Sequence, residues 1–265
     1  MSIDASNFIF KMLQMKILFT NPRTNDMLLV GDPILVVGML VLYAYIVLKW
    51  GPLYMETRKP YSLKGFIFYY NIFQIVSNAI IVYTLTTSGW TTEFGWGCEP
   101  VRYTRRPIDW RMVNIVHWTL MLKIIDLIET VVFVLRKKNN QISFLHVYHH
   151  ISTVVVTYIC TKYFPGGMLS MQMIVNGSVH MIMYTYYLLA SLGPKMQPYI
   201  NPIKPHITKI QIIQFLLLLT HQSQAFSSSC DIPKIAPTII VGNLLLNLAL
   251  FLNFYRQSYS AKKIE

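Results

Sequence analysis

Long apolar runs dominate this chain and leave it few ways to fold. A bilayer's hydrocarbon core is about 30 Å thick, so a crossing helix needs about 20 mostly apolar residues at roughly 1.5 Å each. Seven segments meet this need, although the fourth and fifth contain histidines and are less apolar. Their approximate bounds are 27–48, 63–87, 113–135, 141–161, 168–190, 207–227 and 235–255. The pattern predicts an all-α integral membrane protein with seven transmembrane helices in one bundle.

Composition and charge agree with a membrane protein of one domain. Of 265 residues, 54% are hydrophobic and 13% are charged, whereas soluble domains carry about 25% charged residues. No cleaved signal peptide, linker or repeat is recognised, so residues 1–265 are expected to form a single domain. The C-terminal side of the predicted spans has thirteen Lys and Arg and the opposite side nine. This bias predicts a cytosolic C-terminus and a lumenal N-terminus.

The net charge of +12 would suit nucleic acid in a soluble protein. In a membrane protein, basic loops follow the topology and contact anionic lipid headgroups. No nucleic-acid partner is therefore expected. Basic loops on one face can also bind a polyphosphate ligand, and composition does not separate these two roles.

Polar residues inside predicted spans are candidates for function, because placing them in lipid is costly. Here they recur every three or four residues, which brings them to one side of a helix. Four such stripes occupy spans three to six: Lys123, Asp126 and Glu129; His146, His149 and His150; Asn176, His180, Tyr184 and Tyr187; Thr208, Gln211 and Gln214. Facing one another, they would line a polar cavity. The first stripe is equally compatible with a structural ion-pair network.

Two kinds of chemistry suit the histidines. Metal binding is one, because HxxHH boxes occur in membrane di-iron desaturases and hydroxylases. Those sites combine several boxes, and this chain has one box among seven histidines. A mononuclear zinc site from His146, His149 or His150, and His180 stays open. Acid–base and nucleophilic catalysis is the other, since imidazole titrates near neutrality and its neutral nitrogen is a competent nucleophile.

Four motifs in this order resemble the very-long-chain fatty acid elongases, the ELO family of condensing enzymes, over nearly the whole chain. The family pattern KxxExxDT appears with its two acids exchanged, as Lys123 to Thr130. HxxHH, NxxxHxxMYxYY and TxxQxxQ are intact and begin at His146, Asn176 and Thr208. The chain departs from many relatives after the histidine box, where it lacks their proline and tryptophan.

The resemblance implies a 3-oxoacyl-CoA synthase, an acyltransferase of fatty acid elongation. Its reaction is the decarboxylative Claisen condensation of a long-chain acyl-CoA with malonyl-CoA to 3-oxoacyl-CoA, CO2 and CoA. The expected partners are these two substrates, membrane lipid, and the reductases and dehydratase of the elongation cycle, with no cofactor and no metal. The implied setting is the endoplasmic reticulum membrane, with a multi-pass bundle around an acyl-chain tunnel. The alternative is a histidine-box, metal-dependent fatty acid desaturase or hydroxylase.

Imidazole is the expected nucleophile, because no cysteine is placed near the histidines. Soluble condensing enzymes hold the acyl group on a cysteine, but Cys160 follows His150 by ten residues, or about 15 Å along a helix. We therefore assign an acyl-imidazole to His149, with His146 or His150 orienting it or moving its proton. His180 would assist decarboxylation or stabilise the enolate.

The other stripe residues are expected to bind substrate. Lys123, Asp126 and Glu129 border the predicted cavity, and oxyanion hydrogen bonds are assigned to Asn176, Tyr184, Tyr187, Gln211 and Gln214. The CoA phosphates are assigned to basic side chains at the cytosolic face, which form charge-assisted hydrogen bonds. These are Arg136, Lys137, Lys138, Lys204, His206 and Lys209, with Thr208 beside them. A role in topology and lipid contact stays open for each.

Cysteines and the C-terminus bear on the compartment. Cys98 and Cys230 fall in two predicted lumenal loops, where disulfides persist. The resemblance implies that they are bridged; two free thiols are the alternative, since sequence alone does not fix the pairing. Cys160 is expected to be a buried thiol. Lys262 and Lys263 resemble a dilysine retrieval signal, in agreement with the endoplasmic reticulum.

Overall fold

The computed structural model describes residues 21–260, and the regular structure within this range is helical throughout. The predicted all-helical fold is confirmed for this part of the chain; Lys262 and Lys263 lie outside it. Its long helices are α1 Pro33–Met55, α2 Lys64–Leu85, α3 Pro107–Leu135, α4 Phe144–Tyr163, α5 Met171–Ser191, α6 Lys204–Ser223 and α7 Ile235–Tyr255.

Helix starts coincide with residues suited to a first turn. α3 begins at Pro107, six residues before the predicted span, because proline has no N–H to leave unpaired there. α4 begins after Ser143, whose hydroxyl accepts a hydrogen bond from the His146 N–H at 3.2 Å. This cap places the histidine box in the first two turns of α4.

α1 differs from the predicted first span, 27–48, at both ends. Asp32 accepts the Ile34 N–H at 2.8 Å and caps a helix that starts at the next residue, a proline. At the other end the helix passes Pro52, which lacks a donor, and a π-turn at Ile46–Trp50 precedes that residue. The helix thus starts later and runs further than the apolar pattern predicts.

Six helices form a ring in the order α2, α5, α6, α7, α4, α3, and α3 returns to α2. α1 packs outside this ring against α3 and α4, through a cluster that includes Val36, Leu40, Tyr43, Val47, Leu120, Leu127, Val154 and Tyr158. The predicted bundle is refined accordingly: six helices enclose the interior, and α1 supports two of them from outside.

The ring turns polar side chains inward and apolar ones outward, the reverse of a soluble bundle. Buried polar residues include Asn71, Gln74, Lys123, Asp126, His150, His180 and Gln214. Exposed apolar residues on the ring include Phe73, Val76, Ile80, Leu245 and Leu246, and Leu35 and Val41 are exposed on α1. A lipid environment favours this distribution.

Three helices in the described range are long and apolar enough to cross a membrane: Pro33–Met55, Lys64–Trp90 and Ile235–Tyr259. They support the assignment of the chain as a membrane protein. The helices α3 to α6 carry inward polar side chains, which lower their mean hydropathy. That these four also cross the bilayer stays a prediction.

The loop after α2 and the loop before α7 meet at one end of the bundle. Cys98 and Cys230 form a disulfide there, with 5.7 Å between their Cα atoms and a sequence separation of 132. Four helices separate the two loops, and an even number of antiparallel passes returns the chain to the same end. The pairing is the one that the resemblance implies, and Cys160 is a buried free thiol.

Arginines at the same end hold the loop before α3. Arg102 and Arg106 both pair with Glu93, and Arg106 Nε lies 2.9 Å from Asp109 Oδ2. Burial opposes ionisation of Asp109, but hydrogen bonds from Arg106 and Thr104 outweigh it and lower the pKa of this carboxyl below its usual value. These arginines therefore have a structural role on the side where topology alone predicts few cations.

Thiol counting tests the disulfide. Denatured without reductant, the protein should take up one maleimide, at Cys160, and three after reduction, as read by intact mass. The Cys160→Ser variant is the control and should take up none without reductant. Three adducts on the unreduced protein would contradict the pairing.

Removing the bridge should also lower thermal stability. In the chain-entropy model, a closed loop of this length contributes roughly 4–5 kcal/mol, and a membrane-restricted unfolded state reduces that figure. The Cys98→Ser/Cys230→Ser double variant should therefore melt at a lower temperature than Cys160→Ser in a thermal-shift measurement.

Candidate active site

The three histidines of the box all lie on α4, but they face two different neighbouring helices. His146 and His150 have ring centroids 4.2 Å apart and lie towards α3. His149 lies towards α7, with its Nδ1 3.1 Å from Asn247 Oδ1. This differs from the expectation that all three share one side. The reason is that a helix turns about 100° per residue, so neighbours such as His149 and His150 diverge.

A hydrogen-bond chain joins α1 to the histidine box. Tyr43 and Thr130 bring their hydroxyl oxygens within 2.7 Å, and Thr130 Oγ1 lies 2.9 Å from His146 Nε2. Sequence reasoning did not single out Tyr43 or Thr130 as functional. Tyr43 is the point at which the outer helix reaches the polar interior.

The charged residues of α3 also face two different sets of partners. Lys123 Nζ lies 3.1 Å from Asp126 Oδ2, and both side chains are buried. Asp126 Oδ1 accepts a 2.7 Å hydrogen bond from Gln74 Nε2 of α2. Glu129 instead lies 3.6 Å from His150 Nε2. Six residues of helix separate Lys123 from Glu129 by about 120° around the axis, so one stripe serves two groups of partners.

His180 of α5 joins the first group. Its Nδ1 lies 3.5 Å from Lys123 Nζ and 3.8 Å from Asp126 Oδ2. The same ring nitrogen thus faces a donor, the ammonium of Lys123, and an acceptor, the carboxylate of Asp126. Tyr184 packs against the same imidazole, with 5.6 Å between ring centroids.

Two asparagines of α7 complete the surroundings of His149. Asn247 is buried and contacts the imidazole, and Asn243 Oδ1 accepts a 3.1 Å hydrogen bond from the Tyr148 hydroxyl. Neither asparagine was predicted. The sequence could have indicated them, because they lie four residues apart in an otherwise apolar span, the same spacing that defines the other stripes.

Two cavities run through these residues. The inner one, about 60 Å³, lies between α3 and α7 and is lined by residues that include Lys123, His149, Asn176, Gln214 and Asn247. The outer one, about 340 Å³, is lined by residues that include Tyr70, Glu129, Arg136, Gln141 and Tyr187. Of the stripe residues, Lys123, His149, Asn176 and Gln214 line the inner cavity, and Glu129 and Tyr187 line the outer one. Five others line neither of these two cavities: Asp126, His146, His150, His180 and Tyr184. One cavity bordered by all four stripes therefore stays a prediction.

Other predicted residues lie at the margins of these cavities. Gln211 Nε2 lies 3.6 Å from the Met183 sulfur, and Thr208 is buried. Neither lines the inner or the outer cavity. Their assignment to substrate binding stays a prediction.

The basic residues spread over several surfaces. Arg136 lines the outer cavity, whereas Lys137 donates a 3.0 Å hydrogen bond to the Glu56 carbonyl and borders a separate pocket beside α1. Lys209 lies 5.9 Å from the Tyr255 ring centroid. Three more are exposed and line neither cavity: Lys138, Lys204 and His206. Of this group, only Arg136 therefore lines either of the two cavities in the described structure.

Three side chains have metal-binding geometry. Glu129, His146 and His150 bring one potential ligand atom each to within 4.8 Å of one another. His149 and His180 are outside this group, so it differs from the zinc site that sequence left open. Two contacts are seen at these side chains: His146 Nε2 lies 2.9 Å from Thr130 Oγ1, and His150 Nε2 faces Glu129.

Comparison with known proteins identifies relatives of this arrangement. The GNS1/SUR4 family model, ELO, matches residues 28–265. Very long chain fatty acid elongase 1 from Homo sapiens is 42% identical over 92% of this chain and 88% of its own length. The Mus musculus protein of the same name is 39% identical over the same shares. Very long chain fatty acid elongase 7 from Rattus norvegicus is 36% identical over 91% of this chain and 86% of its own.

The family match extends from before α1 to the C-terminus, and it includes every helix that contributes to the two cavities. The relatives cover the same helices at 36–42% identity. The chain therefore belongs to the ELO family of GNS1/SUR4 proteins.

Proposed function

We propose that this protein is a fatty acid elongase that condenses a long-chain acyl-CoA with malonyl-CoA in the endoplasmic reticulum membrane. The products are 3-oxoacyl-CoA, CO2 and CoA. Membership of the ELO family supports elongation, and the names of its relatives support very long chains. Reduction and dehydration would fall to separate enzymes of the cycle.

The observation that carries this proposal is the inner cavity. Of its described lining residues, His149 is the one imidazole, and it shares the cavity with the ammonium of Lys123. Two of the threonine hydroxyls at this cavity donate to main-chain carbonyls: Thr119 to Ile115 at 2.8 Å and Thr153 to His150 at 3.0 Å. Two cysteines are in a disulfide and Cys160 does not line the cavity. Imidazole is therefore the available nucleophile.

In the first half-reaction, a nitrogen of His149 attacks the thioester carbon of acyl-CoA. A nitrogen–carbon bond forms, the carbon–sulfur bond breaks, and CoA leaves as a thiolate that takes a proton from water. The acyl group remains on His149 as an acyl-imidazolium. Hydrogen-bond donors beside the cavity, such as Asn176 and Gln214, would stabilise the oxyanion of the addition step.

In the second half-reaction, malonyl-CoA loses CO2 and the electron pair of the broken bond forms the enolate of acetyl-CoA. Its carbon attacks the acyl carbon, and neutral imidazole leaves with the electrons of the nitrogen–carbon bond. Lys123, which lines the inner cavity, would donate to the enolate oxygen, and His180, 3.5 Å from its ammonium, would assist. Asp126 holds Lys123 through the buried ion pair, so its role is positioning.

The outer cavity suits the CoA end of the substrates. Its wall includes the guanidinium of Arg136, and guanidinium groups bind phosphate through charge-assisted hydrogen bonds. The acyl tail would then extend past the histidines between the ring helices. The CoA phosphates would also contact four further basic residues: Lys137, Lys138, Lys204 and His206.

A histidine-box desaturase or hydroxylase is the second candidate, favoured by the cluster of Glu129, His146 and His150. Three potential ligands in one group support at most a mononuclear site, whereas the membrane di-iron enzymes combine several boxes. Metal analysis separates the two functions. Purified protein should carry no stoichiometric iron or zinc by mass spectrometry, and chelation should not change its condensing activity. Loss of activity on chelation, with recovery on adding iron, would favour the oxidative enzyme.

Release of labelled CO2 tests the reaction itself. With carboxyl-labelled malonyl-CoA, purified protein should release CO2 only when a long-chain acyl-CoA is present, and 3-oxoacyl-CoA should appear in equal amount. The His149→Ala variant should lose nearly all of this release, because the attacking nitrogen is absent. Release that persists without acyl-CoA would indicate simple decarboxylation instead of condensation.

Trapping tests the covalent step. Incubation with acyl-CoA alone should raise the intact mass by one acyl group and release one equivalent of CoA. His180→Ala should still form this adduct, because His180 serves the second half-reaction, whereas His149→Ala should not. An adduct that survives His149→Ala would exclude His149 as the nucleophile.

A further inference from the structure

His149 meets α7 through one defined hydrogen bond. Its Nδ1 and the side-chain oxygen of Asn247 are 3.1 Å apart. A neutral imidazole carries a proton on one nitrogen and a lone pair on the other. The proton's position therefore follows from whether Asn247 presents an acceptor or a donor to Nδ1.

The neighbours of Asn247 fix the orientation of its amide. Its Nδ2 donates to the main-chain carbonyl of Asn243 at 2.9 Å and to Asn243 Oδ1 at 3.1 Å. A main-chain carbonyl is an acceptor only, so turning the amide around would set two oxygens against each other. Asn243 Oδ1 also accepts the hydroxyl of Tyr148, which keeps that side chain in place.

We infer that Asn247 is a positioning residue that holds His149 with its proton on Nδ1 and leaves the Nε2 lone pair for the acyl group. Asn247 presents an oxygen, so Nδ1 must donate. Nε2, on the opposite side of the ring, is then the attacking nitrogen. This inference rests on the proposed condensation and assigns the reacting atom within it.

The same contact affects the intermediate. After Nε2 attacks the thioester carbon and CoA leaves as a thiolate, the positive charge of the acyl-imidazolium extends to the Nδ1–H. The neutral amide oxygen of Asn247 accepts this proton's hydrogen bond more strongly in the charged ring, without removing the proton. The acyl group thus stays on a cationic carrier, and imidazole leaves in its neutral form when the enolate attacks. No proton has to reach His149 at that step.

Nitrogen NMR of the wild-type protein tests the tautomer directly. Protein labelled with nitrogen-15 in histidine and held in lipid nanodiscs should show His149 with a protonated Nδ1 and an unprotonated Nε2. The signal is assigned by its loss in His149→Gln. A His149 with its proton on Nε2 would overturn the inference.

Kinetics test the consequence. Asn247→Leu removes the acceptor at similar volume, and Asn253→Leu is the matched control, since Asn253 is exposed near the end of the same helix. Single-turnover release of CoA from acyl-CoA, without malonyl-CoA, should slow about 10–100-fold in Asn247→Leu, the range known for losing the partner that orients a metal-bound histidine. Its KM for acyl-CoA should stay near that of wild type, and Asn253→Leu should match wild type in both.

Asn247→Asp keeps an oxygen opposite Nδ1 and should recover part of the rate lost in Asn247→Leu, with the Nδ1–H signal retained. This rescue separates orientation of the imidazole from packing of α7, because both variants change the contacts with Asn243. If Asn247→Leu does not fold, the wild-type spectrum and Asn247→Asp still decide the question. An Asn247→Asp variant no faster than a folded Asn247→Leu, or with its proton moved to Nε2, would overturn the inference.

Failure of the inference is distinguishable from failure of the proposed function. A wild-type protein that releases no labelled CO2 from malonyl-CoA would refute condensation, whatever the tautomer. A wild-type protein that condenses, beside an Asn247→Leu variant of equal acyl-transfer rate, would overturn only the role of Asn247.

Discussion

Lys123 and Asp126 lie one turn apart on α3, both buried, with 3.1 Å between Nζ and Oδ2. Removing two charges from water costs several kcal/mol per ion, which their attraction offsets only when further hydrogen bonds complete the pair. Gln74 of α2 supplies one to Asp126, and His180 of α5 lies 3.5 Å from Lys123. The pair therefore links three neighbouring helices of the ring, and it places His180 beside Lys123.

The polar side chains face the interior of the ring because buried polar groups need hydrogen-bond partners, as the buried ion pair does. Residues such as Asn78 and Gln74 are buried at the α2 interface, where Asn78 Nδ2 donates to the Gln74 carbonyl at 2.8 Å. In lipid, each of these groups needs a protein partner, so the ring must close around them. α1 lies outside the ring, but it too gives a buried polar group a protein partner. Its Tyr43 hydroxyl contacts Thr130 of α3, which in turn contacts His146.

Sequence periodicity predicted the helices and the polar stripes, but not which neighbouring helix each residue of a stripe contacts. Three-residue spacing keeps neighbours such as Lys123 and Asp126 within about 60° around the axis, so they pair. Two such steps reach Glu129, which contacts a different helix. The ends of α1 were predicted wrongly, because a run of apolar residues shows neither the N-cap at Asp32 nor the π-turn before Pro52. Asn243 and Asn247 could have been predicted from their four-residue spacing. The contact between Tyr43 and Thr130 could not, because it forms only when α1 packs on the ring.

The two histidines of the proposed reaction differ in what their neighbours leave available, although their side chains are chemically identical. An amide oxygen beside His149 only accepts, so the facing nitrogen donates and the other keeps its lone pair. His180 Nδ1 instead faces both the ammonium of Lys123 and the carboxylate of Asp126, so a donor and an acceptor compete for one nitrogen. In the proposed reaction, His149 would thus offer the nucleophile, while His180 lies beside the charged pair. These surroundings are set by Asn247, Lys123 and Asp126, residues on helices other than those that carry the histidines.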